Sequence, residues 1–418
     1  MKEALSIWWD EKRVGRLTMD EHGDNGFAYD AAWLADPSAR PISRSLPKRK
    51  EPFDRRRTRP FFAGLLPDET VREVVARILG VSERNDFSLL KALGGDIAGA
   101  LTILPEDEIP VVYNGAAATT PLTDDELAQL IEVLPKRPFL AGETGVRMSL
   151  AGAQTKLPVV LADGKIALPA PGQPTTHILK PSLPLYPATT ENEAFIMQLA
   201  DAIGLVVAPV QPCRVKDKTY LLVTRYDREF DLSGRVRRLH QEDFCQALSI
   251  TPERKYASEG GPTFKSCFAL LREAASRPAI EVLKLLDAVL FNLVVGNADA
   301  HGKNFSLLYQ ADAIVLAPLY DLLCTEAYPE LSPKPAMKIA GAATLKDLTA
   351  SSWQKFSDNI EISQPYLRRR LREICYSAQH NAANTASAIA SLGFDPAPLD
   401  RYAEIVRDRA DLIQATAG

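Results

Sequence analysis

Gly296-Asn297-Ala298-Asp299-Ala300-His301-Gly302-Lys303-Asn304-Phe305 follows directly on IEVLKLLDAVLFNLVV, residues 280–295. That segment places Val282, Leu286, Val289 and Leu293 at spacings of three and four. It is apolar around most of its circumference, which predicts a buried helix. Asp299 and Asn304 then stand five apart, with His301 between them. Phosphoryl transfer needs a carboxylate to orient the attacking hydroxyl and take its proton, and a neutral oxygen ligand nearby for Mg²⁺. The D-x-x-x-x-N spacing supplies both, with Asp299 as the base, Asn304 as a metal ligand and His301 as a brace for the loop. Without such chemistry, the same residues make a polar helix C-terminus and turn, where Asn, Asp, His and Gly are common.

Working outward, the strand-like AIVLAPL leads to Tyr320-Asp321, seventeen residues beyond Asn304. A carboxylate emerging from a short strand is where a kinase holds its second Mg²⁺ ligand. The alternative is a helix cap. Upstream, Lys180 ends the apolar strand THILK, and a lysine there must find an anion. Glu191 and Glu193 open the next helix, and either can pair with it; Glu193 is preferred. The alternative for Lys180 is a side chain snorkelling to solvent. Ser149-Leu-Ala-Gly-Ala-Gln-Thr-Lys156 has small residues that let a backbone approach phosphates, but it is not a Walker A loop. Gly94-Gly-Asp-Ile-Ala-Gly99 has no lysine after it and reads as a turn.

The 418 residues suggest two to three domains at ~150 residues each. A net charge of −4, from 49 Lys+Arg against 53 Asp+Glu, excludes a bulk-cationic nucleic-acid binder. No apolar run approaches the ~18 residues of a membrane helix, and MKEALSIWWDEK lacks a signal-peptide core. Five scattered cysteines without a C-x-x-C pair fit reduced thiols in the cytoplasm and argue against a zinc site. Between Arg44 and Arg59 lie eight Lys/Arg and two acids, either a solvated loop or a contact for an acidic partner or nucleic acid.

Four regions are expected. Residues 1–110 form an α/β subdomain, with a hairpin over LSIWWDEKRVGRLTM broken at Gly15. A helix opens at Asp68-Glu69-Thr70, carries Val71, Val74, Val75 and Ile78 on one face and stops at Gly80. Residues 111–147 are a linker with helical connections. Residues 148–234 are strand-rich, with a hairpin turn at Asp163-Gly164. Residues 235–418 are helical.

These blocks, in this order, resemble the HipA family of Ser/Thr kinase toxins from bacterial HipBA toxin–antitoxin pairs. Ser149–Lys156 looks like the family's S-[VL]-A-G-A-Q-x-K loop, and Thr176–Lys180 its T-H-I-[IL]-K strand. Glu191-Asn192-Glu193, Arg225–Arg228, Leu239–Gln246, Lys255-Tyr256, Gly260-Gly261-Pro262, Asp299–Phe305 and Tyr320-Asp321 follow. Gly64-Leu65-Leu66-Pro67-Asp68 is similar to an N-terminal signature. The match covers most of the chain; Thr155 and Thr224 depart from it where an acid is frequent.

The resemblance implies an α+β, bilobal, protein-kinase-like fold with an extra N-terminal subdomain, an α/β N lobe and an all-helical C-terminal lobe. It implies ATP and Mg²⁺ as cofactors, with Ala151, Gly152, Ala153, Gln154, Thr155 and Lys156 over the phosphates and Lys180 pairing with them. Thr224, Arg225 and Tyr226 would be the adenine hinge. His301, Lys303, Asn304, Tyr320 and Asp321 would complete the nucleotide site, with Asn304 and Asp321 on the metal. It further implies autophosphorylation at Ser149 that switches the enzyme off, an aminoacyl-tRNA synthetase as substrate, and a HipB-like helix-turn-helix antitoxin that ties the protein to operator DNA. A small-molecule or lipid kinase shares the D-x-H-x-x-N chemistry and is the rival enzyme; an inactive corepressor is the rival outside enzymology.

Overall fold

The computed structural model describes residues 3–113, 119–143, 147–232 and 234–417. An antiparallel sheet opens the chain: β1 (Glu3–Trp9), β2 (Lys12–Met19), β3 (Asn25–Tyr29) and, after four helices, β4 (Leu101–Pro105), in the order β3-β2-β1-β4. The helices are α1 (Ala31–Ala35), α2 (Arg55–Gly64), α3 (Glu69–Leu79) and α4 (Asp86–Leu93). The first hairpin turns at Asp10-Glu11 and not at Gly15, which sits inside β2 opposite Ile7 and Tyr29. A Cβ there would collide with the Ala28 carbonyl oxygen, so close backbone approach, not a turn, accounts for the glycine. Helix α3 ends as expected at Gly80, which takes the left-handed conformation (φ 66°). Its buried face runs through Val71, Val75 and Ala76, leaving Ile78 exposed.

Helix α5 (Asp124–Val133), opened by a Thr123/Glu126 capping box, lies within the expected linker, parts of which (114–118 and 144–146) fall outside the described residues. A five-stranded antiparallel sheet follows: β5 (Leu157–Ala162), β6 (Lys165–Ala167), β7 (His177–Pro181), β8 (Val210–Val215) and β9 (Lys218–Thr224), in the order β6-β5-β7-β9-β8. Helix α6 (Thr189–Ala202) sits between β7 and β8. Asp163 and Gly164 both take positive φ, as a two-residue hairpin turn demands.

The C-terminal lobe contains α7 (Phe244–Ala247), α8 (Phe264–Ala274), α9 (Pro278–Val295), α10 (Ala350–Ile360), α11 (Gln364–Ala390) and α12 (Pro396–Ala417). The expectation of an all-helical lobe needs one amendment. A hairpin of β10 (Arg228–Phe230) and β11 (Val236–Arg238) leads into it, and β12 (His240–Asp243), β13 (Ser306–Tyr309) and β14 (Ile314–Leu316) form a small sheet inside it. These strands are three or four residues long, and β12 reads His-Gln-Glu-Asp, with no apolar alternation to reveal it.

Two cores organise the molecule. One runs through α6, α8, α9, α11 and α12, around fully buried Phe195, Phe291 and Trp353. The other joins the first sheet and its helices to Leu157, Val159, Leu179 and Leu222 of the second, so the N-terminal subdomain shares its core with the lobe beside it. An ion cluster reinforces this junction. Asp96, from the turn 94–99, binds Arg228 at 2.8 Å and accepts from the Thr175 hydroxyl at 2.6 Å; Arg225 grips Asp227 through two bonds of 2.9 and 2.8 Å. Arg225 and Arg228 also donate to the Ile97 and Gly99 carbonyls, and Gly99 N–H donates to Asp227. Burial opposes the charge on Asp96, yet the Arg228 and Arg225 guanidiniums hold it well below the ordinary carboxylate range. The basic stretch 44–59 is largely spent internally: Arg44 pairs with Glu273, Arg55 with Asp24, and Arg59 with Asp86 and Glu253. Among the described residues no helix is long and apolar enough to cross a membrane.

Candidate active site

Lys180 lies near the end of β7, in register with Leu221 of β9, and its side chain points into the cleft between the lobes. Nζ is 2.6 Å from Glu193 Oε1 on the first turns of α6 and also contacts Asp321 Oδ1. The pairing carboxylate is therefore Glu193 and not Glu191. Burial works against the charge on Lys180, but Asp321 and Glu193 outweigh it and hold the ammonium protonated. Burial likewise penalises the Asp321 carboxylate, and Lys180 and then Lys156 keep it ionised. Asp321 itself has a left-handed backbone (φ 54°), an unfavourable conformation for a non-glycine that turns its carboxylate into the cleft.

Helix α9 ends at Gly296 in the left-handed conformation, and this C-cap releases the chain into the loop 297–305. Asn297 is tied back to Asn292 of α9, and its side-chain oxygen accepts from Asp299 N–H, which fixes the loop. Asp299 Oδ1 accepts from the Tyr256 hydroxyl at 2.9 Å. Burial raises the pKa of Asp299, and Tyr256 and Lys255 partly restrain it. Asn304 Oδ1 accepts from His301 N–H at 3.1 Å, leaving its second lone pair open. Burial pushes His301 down to about 3, so the ring is neutral and suited to bracing.

The cleft is lined by Ala151, Gly152, Lys156, Ile178, Lys180, Ala208, Val223, Thr224, Arg225, Tyr226, His301, Lys303, Asn304, Tyr320 and Asp321, among others. Ala153, Gln154 and Thr155 do not line it. Lys156 Nζ donates to the Ala151 carbonyl at 2.8 Å, folding the loop on itself. Tyr226 and Tyr320 stack with ring centroids 5.5 Å apart beside Ile178, Ala208 and Val223, an apolar and aromatic wall suited to a flat base. The Arg225 guanidinium is turned into the ion cluster, so only its backbone remains for a hinge. Ser149 is fully buried, its hydroxyl donating to the Leu65 carbonyl at 3.1 Å. Position alone placed it at the loop entrance; the neighbouring subdomain seals it.

No group of three or more His, Cys, Asp or Glu among the described residues forms a metal cage. One carboxylate, Asp321, and one amide oxygen, Asn304, make a sparse, hard donor set. That set fits Mg²⁺, which is held through one or two carboxylates together with phosphate oxygens. Sequence reasoning missed Asp68, which also lines the cleft: its carboxylate meets Lys303 Nζ at 2.7 and 2.8 Å. The Asp-Glu pair at 68–69 reads as a helix opening, but Asp68 makes no side-chain cap bond and spends its charge on Lys303 of the loop 297–305.

Similarity to known proteins agrees with this geometry. Residues 5–104 match the HipA N-terminal domain and residues 148–382 the HipA-like C-terminal domain. "Putative kinase Y4mE" of Sinorhizobium fredii is 54% identical, over 98% of both chains. The serine/threonine-protein kinase toxin HipA of Shewanella oneidensis is 29% identical, over 89% of this chain and 86% of that one. A solved complex of Shewanella oneidensis HipA, HipB and operator DNA superposes with a TM-score of 0.83 at 26% identity, covering 98% of this chain and 99% of that one. With one family model covering more than half of its length and a second covering the N-terminal subdomain, the chain belongs to the HipA family.

Proposed function

We propose that this protein is a Mg²⁺- and ATP-dependent Ser/Thr protein kinase acting as the toxin of a toxin–antitoxin pair. The observation that carries the reading is Lys180 held between Glu193 and Asp321, with Asn304 lining the same cleft and Asp299 five residues before it on the same loop. Bound Mg·ATP supplies the phosphoryl group and the cationic charge that offsets the charge developing in transfer. Lys180, fixed by Glu193, would hold phosphate oxygens of the nucleotide, and Asp321 and Asn304 would hold the metal. Asp299 orients the acceptor hydroxyl and takes its proton, while Tyr256 occupies one carboxylate oxygen and leaves the other for the acceptor.

The acceptor is a protein hydroxyl, with an aminoacyl-tRNA synthetase as the substrate whose modification halts translation. A HipB-like antitoxin neutralises the kinase and carries it to operator DNA; the Shewanella complex supports this pairing. Ser149 is the self-limiting site. Because it is buried, the loop 149–152 must first leave Leu65, and a phosphate of about −1.5 to −2 charges then opposes its return. The test is labelling of the purified chain, and of added synthetases, from labelled ATP with Mg²⁺. Wild type labels and then plateaus with phosphate on Ser149, whereas Asp299→Asn does not label. Equal labelling by Asp299→Asn overturns the reading.

A further inference from the structure

The strap between α2 and α3, residues 65–68, together with Glu69 at the start of α3, bonds to both the phosphate loop and the C-terminal lobe. Leu65 O accepts from the Ser149 hydroxyl, and Asp68 N–H donates to Gly152 O at 3.2 Å, so the strap holds the phosphate loop. Its two acids each grip a lysine from the C-terminal lobe: Asp68 binds Lys303, and Glu69 binds Lys255 at 2.8 Å. Each lysine immediately precedes a residue of the chemistry. Lys303 precedes the metal ligand Asn304, and its carbonyl is anchored by the Tyr320 hydroxyl at 2.7 Å. Lys255 precedes Tyr256, whose hydroxyl holds Asp299.

Asp68, Lys255 and Lys303 are all buried, which demands mutual compensation. Burial disfavours the Asp68 carboxylate, and Lys303 and Lys255 outweigh that burial. Glu69 adopts φ 49°, a strained backbone for a non-glycine, and its carboxylate takes the closer bond to Lys255, which Asp68 approaches only to 3.8 Å.

We propose that Asp68 and Glu69 are positioning residues of the transfer site: Asp68 acts through Lys303 on the metal ligand Asn304, and Glu69 acts through Lys255 and Tyr256 on Asp299. The N-terminal subdomain is thus a third wall of the active centre. This rests on the phosphoryl-transfer reading above.

The test measures initial rates of transfer from labelled ATP by the full chain, varying Mg²⁺ and pH. Asp68→Asn raises the Mg²⁺ needed for half-maximal rate by roughly ten-fold, the scale of losing an outer partner of a ligand. Glu69→Gln leaves the Mg²⁺ requirement unchanged and moves the acidic limb. The direction is diagnostic, because Asp299 faces Tyr256, Lys255, Glu69 and Asp321. Deleting the charge of Glu69 alone favours ionised Asp299 and shifts the limb to lower pH. Releasing Lys255 and Tyr256 shifts it to higher pH, as Tyr256→Phe does.

A limb that falls or stays put overturns the role of Glu69, and wild-type Mg²⁺ dependence in Asp68→Asn overturns that of Asp68. If Asp68→Asn does not fold, Asp68→Glu keeps the charge but displaces Lys303 by one methylene. It still raises the Mg²⁺ requirement, and wild-type behaviour overturns the proposal. An inactive Asp299→Asn beside unaffected strap variants sinks this inference alone, whereas an active Asp299→Asn sinks the kinase reading beneath it.

Discussion

The ammonium of Lys180 is in direct contact with the carboxylate of Asp321, a residue 141 positions away in the other lobe. The lysine thereby keeps a partly buried carboxylate compensated. The pair links the two lobes across the cleft.

Lys180→Met removes the shared cation and leaves buried Glu193 and partly buried Asp321 without it. Transfer should fall by about 10²–10³, the scale for losing one charge-stabilising donor. Stability should fall by about 3–5 kcal/mol. Adding Glu193→Gln should recover part of the stability and none of the rate. Thermal denaturation alongside labelling checks both; retained labelling in Lys180→Met contradicts the assignment.

Tyr256→Phe deletes the hydrogen bond to Asp299 without removing the ring that packs edge-on against His301 at 5.3 Å. Burial already raises the base, and Tyr256 opposes that rise. Its loss therefore raises Asp299 further, the base is protonated at higher pH, and the acidic limb of kcat/KM moves up by about one pH unit. A limb that moves down would show that the hydroxyl does not stabilise the ionised base.

Asp243 caps α7 by accepting from Gln246 N–H at 2.8 Å, and burial pushes its pKa from 3.8 to about 7. Between those values the folded chain keeps a proton that the unfolded chain releases, so this residue makes stability fall as pH rises through that window. Asp243→Asn preserves a capping oxygen and removes the titration. The variant should lose less stability than wild type between pH 5 and pH 8, each pH unit of separation being worth about 1.4 kcal/mol before relaxation. Denaturant titrations at the two pH values decide it; identical slopes count against a buried, protonated Asp243.

Gly15→Ala would be stabilising if strand propensity ruled, since glycine is depleted in strands. The close approach of the Ala28 carbonyl reverses the sign. A loss of about 1–3 kcal/mol is expected from overpacking, read as a lower melting temperature, and a rise in melting temperature would show that β2 and β3 can separate to admit a methyl group.

Much of the site was legible because its residues sit where local patterns break: Asp299 and Asn304 after a buried helix, Asp321 after a short strand, Lys180 at the end of an apolar one. The choice between Glu191 and Glu193 was not, since both lie on the first turns of α6 and only the distance to β7 separates them. The ion cluster of Asp96, Arg225 and Arg228 was illegible for a different reason. Its members lie about 130 positions apart, and a buried guanidinium has the same sequence signature as an exposed one. Arg225 consequently reads as a cleft residue when only its backbone faces the cleft. Small polar strands such as β12 are set by their neighbours rather than by alternation, and this is where the all-helical expectation failed.

The shared core and the Asp96–Arg228 cluster also bear on how such genes can be recombined. Residues 5–104 match a family model of their own, which invites treating them as an exchangeable cassette. Yet Asp96 and the carbonyls of Ile97 and Gly99 travel with the cassette, while Arg225 and Arg228, buried at 1% side-chain exposure, stay behind. A chimera joined near residue 105 keeps Arg225 and Arg228 together with Asp227, but takes from the other parent Asp96 and the backbone turn that complete their pairing. An acid at position 96 is therefore a requirement that the second segment places on any first segment joined to it.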